Sequence, residues 1–305
     1  MSAERTDRIK GGLLGLALGD AFGAPHEGGP IERLLWRAIG RSEGKQRFTD
    51  DTTMSLDLAE SLVERGALDL DDLARRFGAS YRWSRGYGPG AAKLLKRVRG
   101  GMDWREASRS VYPEGSFGNG GAMRAPVIGL AFAARPEALA DAASEQASIT
   151  HAHPLAREGA VMIAAATAAA LEGVDAEALL DAATAPCEQA PFTMRLEIAR
   201  GWLRLSQGNE PSPREVRESL GNGIAAVDSC VTALYLAGRF LHLDFADLLR
   251  FAALLGGDVD TIGAMAGALW GAHNGAGELP GELLGLLEQR ERLEAAAAGL
   301  AATFA

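Results

Sequence analysis

Two clusters of oxygen-bearing side chains in this sequence have the chemistry of a metal site. They are Thr49, Asp50 and Asp51 in the run FTDDTTM, and Asp258, Asp260 and Thr261 in the run GGDVDT. Carboxylates and hydroxyls are hard oxygen ligands, which Mg²⁺ and Mn²⁺ prefer and zinc usually does not. Carboxylates crowded together repel each other and raise each other's pKa unless a cation is present. The sequence therefore predicts a pair of divalent ions between clusters that lie about 200 residues apart.

A glycine-rich loop is the second feature that could bind a ligand. Residues Gly115 to Arg124 read GSFGNGGAMR, a composition that lets backbone amides approach a phosphate or a sugar. A plain turn has the same composition, so the loop alone does not establish a site. In the run THAHP, no Cys or Glu stands at zinc-ligand spacing. We interpret His151 as a hydrogen-bonding residue at a helix start or pocket wall, and His153 as structural.

Hydrophobic periodicity is helical almost throughout the chain. Met54, Leu58 and Leu62 recur at helical spacing directly after the first acidic cluster, so its acids should lie at the positive end of a helix dipole. Period-2 patterns typical of strands are scarce, and no Pro/Ser-rich linker divides the sequence. We predict a single all-α domain of many helices over residues 1–305. Further helices are predicted over Leu155–Leu171, Phe192–Leu205, Ile224–Leu241, Phe245–Leu254 and Leu283–Ala302.

Glycines four residues apart form a stripe on each of two predicted helices. The first stripe is Gly11, Gly15, Gly19 and Gly23, and the second is Gly263, Gly267 and Gly271. Glycine costs about 1 kcal/mol in a helix interior, so a stripe of it indicates that another backbone comes close. Because the first stripe ends at Asp20 and Glu27 and the second begins just after Asp260, close packing of the stripes would hold the metal cluster rigidly.

Charge and composition limit the classes of partner. The 305 residues are 47% hydrophobic and carry a net charge of -9, which argues against a nucleic-acid binder driven by overall charge. Cys187 and Cys230 are too few for a disulfide framework, and the polar start of the chain lacks a secretory apolar segment. No apolar run reaches the ~18 residues of a membrane span. We expect a soluble, cytoplasmic protein that does not bind membranes.

For several residues near these motifs, a structural role is the default interpretation. Asp57, Glu60, Glu64 and Arg65 read as a solvated helix face, and the five tryptophans as packing in the core or at a pocket edge. Asp20 fits two roles equally: a brace behind the metal ligands, or a buried acid bonded to backbone amides.

Taken in order, these motifs resemble the ADP-ribosylglycohydrolase family, which includes proteins like the dinitrogenase-reductase-activating glycohydrolase. The resemblance spans nearly the whole chain and rests on Gly19-Asp20 followed by Glu27, then FTDDT, SFGNGGAMR, Thr150-His151 and GGDVDT. It implies an all-α fold, a binuclear Mg²⁺ or Mn²⁺ centre, and hydrolysis of the bond between C1″ of ADP-ribose and an acceptor.

Carried over by motif, the resemblance implies a role for each site residue. Both acidic clusters become ligands of two metal ions, and we expect these ions to hold the 2″ and 3″ hydroxyls of the distal ribose. Glu27 becomes the catalytic residue that orients or deprotonates the attacking water. Phe117, or failing that Tyr112, would contact adenine, and the amides of Gly118 to Gly121 would hold the diphosphate. The implied substrate-binding set is Gly115, Ser116, Phe117, Gly118, Asn119, Gly120, Gly121 and His151.

Other functions are weaker or remain open. An isoprenoid synthase needs D-D-x-x-D, but Asp50 and Asp51 are followed by two threonines and a methionine. A two-metal phosphohydrolase could act on the diphosphate with the same carboxylates, and an inactive ADP-ribose-binding relative could keep the fold. An acceptor linked through serine, arginine, O-acetyl or nucleic acid presents the same ADP-ribose half. The Mg²⁺ or Mn²⁺ preference and the oligomeric state are equally open.

Overall fold

Helices make up most of the chain, as the periodicity predicted. The computed structural model describes residues 2–29, 33–34, 36, 39–205 and 208–304. The α-helices of this part are α1 (Ala3–Gly23), α2 (Asp50–Arg65), α3 (Leu70–Ser80), α4 (Pro89–Arg99), α5 (Trp104–Val111), α6 (Ala125–Phe132), α7 (Pro136–Ser148), α8 (Pro154–Leu171), α9 (Ala176–Thr184), α10 (Ala190–Leu203), α11 (Pro213–Ser219), α12 (Ala226–Arg239), α13 (Phe245–Leu255), α14 (Val259–Asn274), α15 (Gly281–Leu286) and α16 (Arg290–Thr303).

Short elements connect these helices. Single 3₁₀ turns cover Ala24–His26, Trp83–Arg85, Asn119–Gly121 and Ala276–Glu278. One antiparallel hairpin pairs β1 (Arg41–Ser42) with β2 (Lys45–Gln46), with Arg41 opposite Gln46. The buried apolar side chains of nearly all the helices form one continuous core, so the fold is a single all-α domain.

Two predicted helices have different limits in the structure. The helix expected from Ile224 begins at Ala226, because the Ile224 carbonyl accepts a hydrogen bond from the amide of Asn119 (2.9 Å) instead of starting the helix. The helix expected over Leu283–Ala302 is two helices, α15 and α16. They are separated because Leu287 pairs with Gln46 and Gln289 has a positive φ of 50°.

The two glycine stripes face each other, which confirms the prediction that another backbone comes close to each of them. Added Cβ atoms at Gly11, Gly15 and Gly19 of α1 would overlap carbonyl oxygens of α14, at Gly271, Gly267 and Gly263 respectively. The two helices therefore run antiparallel with their backbones in direct contact. At the end of the stripe, a Cβ on Gly23 would overlap the backbone of Asp260. The close approach of α1 and α14 thus fixes the backbone of a predicted metal ligand.

Helix α8 departs from the expectation that no segment has the length of a membrane span. Among the described residues it alone is long and apolar enough, with 18 residues at a mean hydropathy of 1.2, of which 56% are buried. It packs against α6, α7 and α9. Core helices pass the same test, so the length of α8 is weak evidence for a membrane.

Candidate active site

A cleft with about 890 Å³ of empty space collects most of the predicted site residues. Both acidic clusters, the glycine loop Gly115–Gly121 and His151 meet there, although they come from four separate parts of the chain. Of the predicted residues, the cleft is lined by Glu27, Asp50, Asp51, Ser116, Gly118, Asn119, Gly120, His151, Asp258, Asp260 and Thr261.

The carboxylates at the floor of the cleft lie close enough to share cations. Oxygens of Asp20, Asp51 and Asp260 all lie within 4.8 Å of one another, and so do oxygens of Glu27, Asp258 and Asp260. We call Asp20, Asp50, Asp51, Asp258 and Asp260 the acidic cluster. The structure therefore brings the two predicted ligand groups together and adds Asp20 to them.

Burial makes the acidic cluster unfavourable without positive charge. Burial first, and then the neighbouring Asp20 carboxylate, raise the pKa of Asp50 and of Asp51 well above the ordinary value. Burial and the carboxylate of Glu27 do the same to the pKa of Asp260. In addition, Asp51 Oδ1 is buried without a hydrogen-bond partner within the described structure. An unpartnered carboxylate oxygen among hard oxygen ligands fits a divalent cation.

Asp20 combines both roles that the sequence left open. Its carboxylate accepts hydrogen bonds from the amides of Thr49 (2.8 Å) and Thr52 (2.9 Å) and from the Thr52 hydroxyl (2.6 Å). These bonds tie the start of α2 to the striped helix α1. They also partly offset the burial that raises the pKa of Asp20. Asp20 thus braces the first ligand group while its own oxygen lies among the ligands.

The N-terminus of α2 places the first ligand group. Thr49 is the N-cap residue, and its hydroxyl donates to Asp51 Oδ2 (2.8 Å) while its buried side chain lies beneath the cleft surface. Asp50 and Asp51 occupy the first turn, where the helix dipole favours negative charge. The predicted helix start is therefore confirmed, and Thr49 contacts the acidic cluster without lining the cleft.

A buried ion pair fixes the residue before this N-cap. Glu288 accepts a hydrogen bond from the amide of Phe48 (2.9 Å), while Arg85 donates to the carbonyl of Phe48 (2.6 Å). Arg85 and Glu288 also pair with each other, and their side chains are only 13% and 12% exposed. We call this arrangement the Arg85–Glu288 clamp. It connects the segment between α15 and α16 to the first ligand group.

The turn before α14 places the second ligand group. Gly256 and Gly257 have φ of 65° and 74°, a region that favours glycine. Asn222 accepts a hydrogen bond from the amide of Asp258 (2.9 Å) and donates to the Gly256 carbonyl (2.9 Å). The amide of Thr261 donates to Asp260 Oδ1 (2.9 Å). The two glycines of the GGDVDT run are thus required by the turn itself.

Asn119 contributes to the acidic cluster rather than only to the glycine loop. Its side-chain amide donates to Asp258 Oδ2 and to Ser229 Oγ (3.0 Å). Its backbone amide is occupied by the Ile224 carbonyl, and the amide of Gly118 donates to Ser116 Oγ (3.3 Å). Two of the four amides predicted to hold a diphosphate therefore already have partners within the protein. The phosphate-binding prediction is narrowed to the amides of Gly120 and Gly121.

Arg124 is a buried cation that the sequence interpretation left without a role. Its guanidinium is completely buried and donates to the carbonyl of Gly120, to Gln146 Oε1 (2.6 Å) and to Thr150 Oγ1 (3.1 Å). Burial lowers its pKa to about 9, so it remains charged at neutral pH. The side chain holds the back of the glycine loop and supplies positive potential beneath it.

His151 forms the adjoining wall as a neutral imidazole. Burial, and then the charge of Arg124, lower the pKa of His151 to about 3. Its Nδ1 lies 2.8 Å from the hydroxyl of Thr150, and its ring packs so closely on Gly120 that a Cβ there would overlap it. His153 accepts from the amide of Leu155 (3.2 Å) as the N-cap of α8, which confirms its structural interpretation.

Three predicted substrate-binding residues lie away from the cleft lining. Phe117 is 57% exposed and packs edge-on against His153, so it is neither core nor cleft wall. Gly115 (φ 83°) turns the chain against the backbone of His153, and Gly121 packs against Ala147. Tyr112, the second candidate for an adenine contact, does line the cleft. The preference for Phe117 over Tyr112 therefore lacks support in the geometry, because the loop turns that ring outward.

The prediction that one face of α2 is solvated is wrong for Asp57. Asp57 is only 4% exposed and accepts a hydrogen bond from Ser80 Oγ, while Glu64 and Arg65 are exposed as expected. Burial raises the pKa of Asp57 to about 7. The periodicity missed this residue because α3 covers that face of α2.

The fold and the site define an all-α protein whose cleft joins a buried carboxylate cluster to a glycine-rich loop. The sequence profile of the ADP-ribosylglycohydrolase family matches residues 1–305. This chain belongs to that family.

Individual relatives agree with this assignment over nearly the full length. The chain is 33% identical over 325 residues to ADP-ribosylhydrolase ARH3 of Homo sapiens, covering 92% of this chain and 88% of that protein. It is 33% identical over 326 residues to protein YegU of Escherichia coli strain K12, covering 95% and 94%. A solved structure described as an ADP-ribosylglycohydrolase-related protein complex matches with a TM-score of 0.73 and 30% identity over 100% of both chains.

Proposed function

We propose that this protein is a metal-dependent ADP-ribosylhydrolase that cleaves the bond between C1″ of ADP-ribose and an acceptor. One observation carries the proposal: Glu27, the acidic cluster and the glycine loop meet in one cleft. Family membership and the similarity to a protein named ADP-ribosylhydrolase support the same chemistry. The proposed partners are ADP-ribosylated proteins or small ADP-ribose conjugates, in a cytoplasmic setting.

Two Mg²⁺ or Mn²⁺ ions are the proposed cofactors. The ligands would be the six predicted residues together with Asp20, since the oxygens of Asp20, Asp51 and Asp260 lie within 4.8 Å of one another. When bound, the ions supply fixed positive charge that orients the vicinal hydroxyls of the distal ribose. The unpartnered oxygen of Asp51 and the raised pKa of that buried carboxyl are the observations that support a cation there.

The protein's own residues then account for the chemical step. Glu27 stands at the wall of the cleft, half-buried, and its carboxylate accepts a proton from the attacking water. The water oxygen bonds to C1″ while the bond to the acceptor breaks, and the acceptor leaves with the electron pair and takes up the proton. His151, neutral at physiological pH, lines the cleft without adding charge beside the positive character that develops at C1″.

The anionic half of the substrate requires local positive potential in a protein of net charge -9. We assign the diphosphate to the amide of Gly120, which lines the cleft at a position where a Cβ would overlap His151. Arg124 reinforces this end of the cleft from beneath. Tyr112 replaces Phe117 as the residue proposed to contact adenine, because it lines the cleft.

A panel of conjugates tests the proposal against the phosphohydrolase alternative. Pure protein is incubated with ADP-ribose linked to arginine, to serine or to acetate, with and without Mg²⁺ or Mn²⁺, and the released nucleotide is identified by mass spectrometry. We expect metal-dependent release of ADP-ribose. Release of AMP would instead show cleavage of the diphosphate, and an absence of any product would indicate a binding protein.

Replacing Glu27 separates proton transfer from positioning. Glu27→Gln keeps the size and hydrogen-bonding reach of the side chain but removes its basicity. Hydrolysis should fall by about 10²-fold or more, the usual scale for the loss of a general base. ADP-ribose affinity and metal content, measured by calorimetry and metal analysis, should stay near wild type. A variant that loses metal in proportion to activity would make Glu27 a ligand instead.

A further inference from the structure

A second pocket adjoins the cleft on the other side of Glu27. It holds about 720 Å³ of empty space, part of it open to solvent, and it shares Glu27 and Gly86 with the cleft. We call it the indole pocket, because tryptophans form two of its walls. The described residues that line it are Ala24, Glu27, Gly28, Trp36, Ile39, Trp83, Ser84 and Gly86.

The turn that carries Trp83 is held in place, although the indole of Trp83 is exposed. Trp83 is 73% exposed and begins the 3₁₀ turn Trp83–Arg85. The turn is held at its end by the Arg85–Glu288 clamp, and Ser84 Oγ accepts a hydrogen bond from Arg47 (3.4 Å). An indole presented to solvent on an anchored turn, facing the same pocket as Trp36, is typical of a binding surface rather than of core packing.

The position of the indole pocket relative to Glu27 determines which part of a substrate reaches it. This step rests on the proposed function, in which the cleft holds ADP-ribose and Glu27 stands beside C1″. The bond that breaks at C1″ then points past Glu27, and the group on its far side enters the indole pocket. The pocket is therefore placed to receive the acceptor, the half of the substrate that the cleft motifs do not specify.

The chemistry of the lining favours one class of acceptor. Two indoles and one carboxylate in the lining suit a flat cation, because a guanidinium stacks on tryptophan while its N–H groups point to an acidic oxygen. Among the described lining residues there is no Lys, Arg or His, although Arg47, which is not among them, donates to the carbonyl of Ile39 (2.8 Å) and to Ser84 Oγ (3.4 Å). A phosphate-bearing acceptor would find no cation in this lining, and a serine side chain is too short to cover two indoles.

We propose that the indole pocket is the acceptor subsite and that it selects an arginine-type guanidinium through Trp83, Trp36 and Glu27. Trp83 is then a specificity-determining residue that contacts the acceptor and not the ADP-ribose half. Truncating its exposed side chain should change discrimination between linkages and leave the fold and the metal centre intact.

The test compares kcat/KM for arginine-linked and serine-linked ADP-ribose in wild type, Trp83→Ala and Trp83→Phe. We expect Trp83→Ala to lower kcat/KM for the arginine conjugate about 10-fold, the order that a cation–π contact supports, and Trp83→Phe to restore part of it. The serine conjugate and the affinity for free ADP-ribose should not change. Leu254→Ala, which truncates another exposed apolar side chain (68% exposed), is the control.

Direct binding distinguishes failure of the subsite from failure of the proposed function. Agmatine carries a guanidinium without a carboxylate, and it should quench tryptophan fluorescence in wild type with ADP-ribose present, but bind at least 10-fold more weakly to Trp83→Ala. n-Butylamine is the control ligand. An equal loss for both conjugates, or unchanged arginine kinetics in Trp83→Ala, overturns the subsite. Absence of hydrolysis for every conjugate overturns the function, and agmatine binding still decides whether the pocket takes a guanidinium.

Discussion

Asp51 and Asp57 lie on the same helix, both carboxyls are nearly fully buried, and burial raises the pKa of both. Their surroundings differ. Asp51 meets acids from two other segments, Asp20 and Asp260, and has an oxygen without a hydrogen-bond partner among the described residues. Asp57 meets the hydroxyl of Ser80 and lines no part of the cleft.

The comparison teaches which features distinguish a site from a buried acid. Burial raises the pKa of both residues, so a raised pKa does not by itself separate a site from a buried acid. Convergence of acids from separate segments onto one cleft marks only Asp51 and its neighbours. The acidic cluster also has supports that Asp57 lacks: the glycine-striped helix pair, the Arg85–Glu288 clamp and the Asn222 turn. Each support can be removed separately, which gives predictions of different size.

Forcing the two glycine-striped helices apart should have the largest effect. Gly15→Ala places a methyl group against the carbonyl of Gly267, so α1 and α14 must move apart, and we expect about 3 kcal/mol lower free energy of unfolding. Metal affinity should fall with it, because α14 carries Asp260. Gly201→Ala makes the same chemical change on α10, where the added Cβ would meet no other described segment within 4 Å, and should stabilise by up to about 1 kcal/mol. Equal unfolding curves for the two variants would refute the rigid-pair account.

Asp57 should change how the free energy of unfolding depends on pH, without changing metal affinity. Its pKa in the folded protein, about 7, lies above the ordinary 3.8, so its favourable contribution is complete at low pH and is lost as pH rises through 7. Asp57→Asn removes this loss, and relative to wild type it should gain about 2 kcal/mol in unfolding free energy between pH 5 and pH 8. Urea denaturation at both values measures the gain. A changed metal affinity in this variant would place Asp57 in the site and erase the comparison.

Weakening the clamp should have the smallest effect of the three. Glu288→Gln can still accept from the amide of Phe48 but loses the charge that pairs with Arg85, so the first ligand group becomes less fixed. We expect about 10-fold weaker Mn²⁺ binding, typical of residues that orient metal ligands. Glu294→Gln is the matched control, since that glutamate lies in α16, close to Glu288 in the sequence, and pairs with Lys10 and Arg290 instead of Arg85. Identical Mn²⁺ affinities in both variants would remove the clamp from the account.

Sequence predicted the fold class from local patterns, and it predicted most of the residues that line the cleft from the ordered motifs. Helical periodicity, the helix start at the first acidic cluster and the glycine stripes are all patterns over a few residues, and the ordered motifs identified the family. The remaining features depend on contacts between distant segments. Burial of Asp57 beneath α3, the outward turn of Phe117 and the break at Gln289 are examples. The role of Arg124 was also missed, although an arginine at the end of a glycine loop is a signal that could have been used.

Calorimetric titration of Mn²⁺ into wild type and Asp260→Asn tests the central claim, that the buried acidic cluster is a two-ion metal centre, most directly. Asp260 belongs to both groups of carboxylates whose oxygens lie within 4.8 Å of one another, so its loss should affect both ions. We predict two Mn²⁺ per wild-type chain, and at least 100-fold weaker binding in the variant with unchanged helical circular dichroism. Unchanged stoichiometry and affinity in Asp260→Asn would contradict the account.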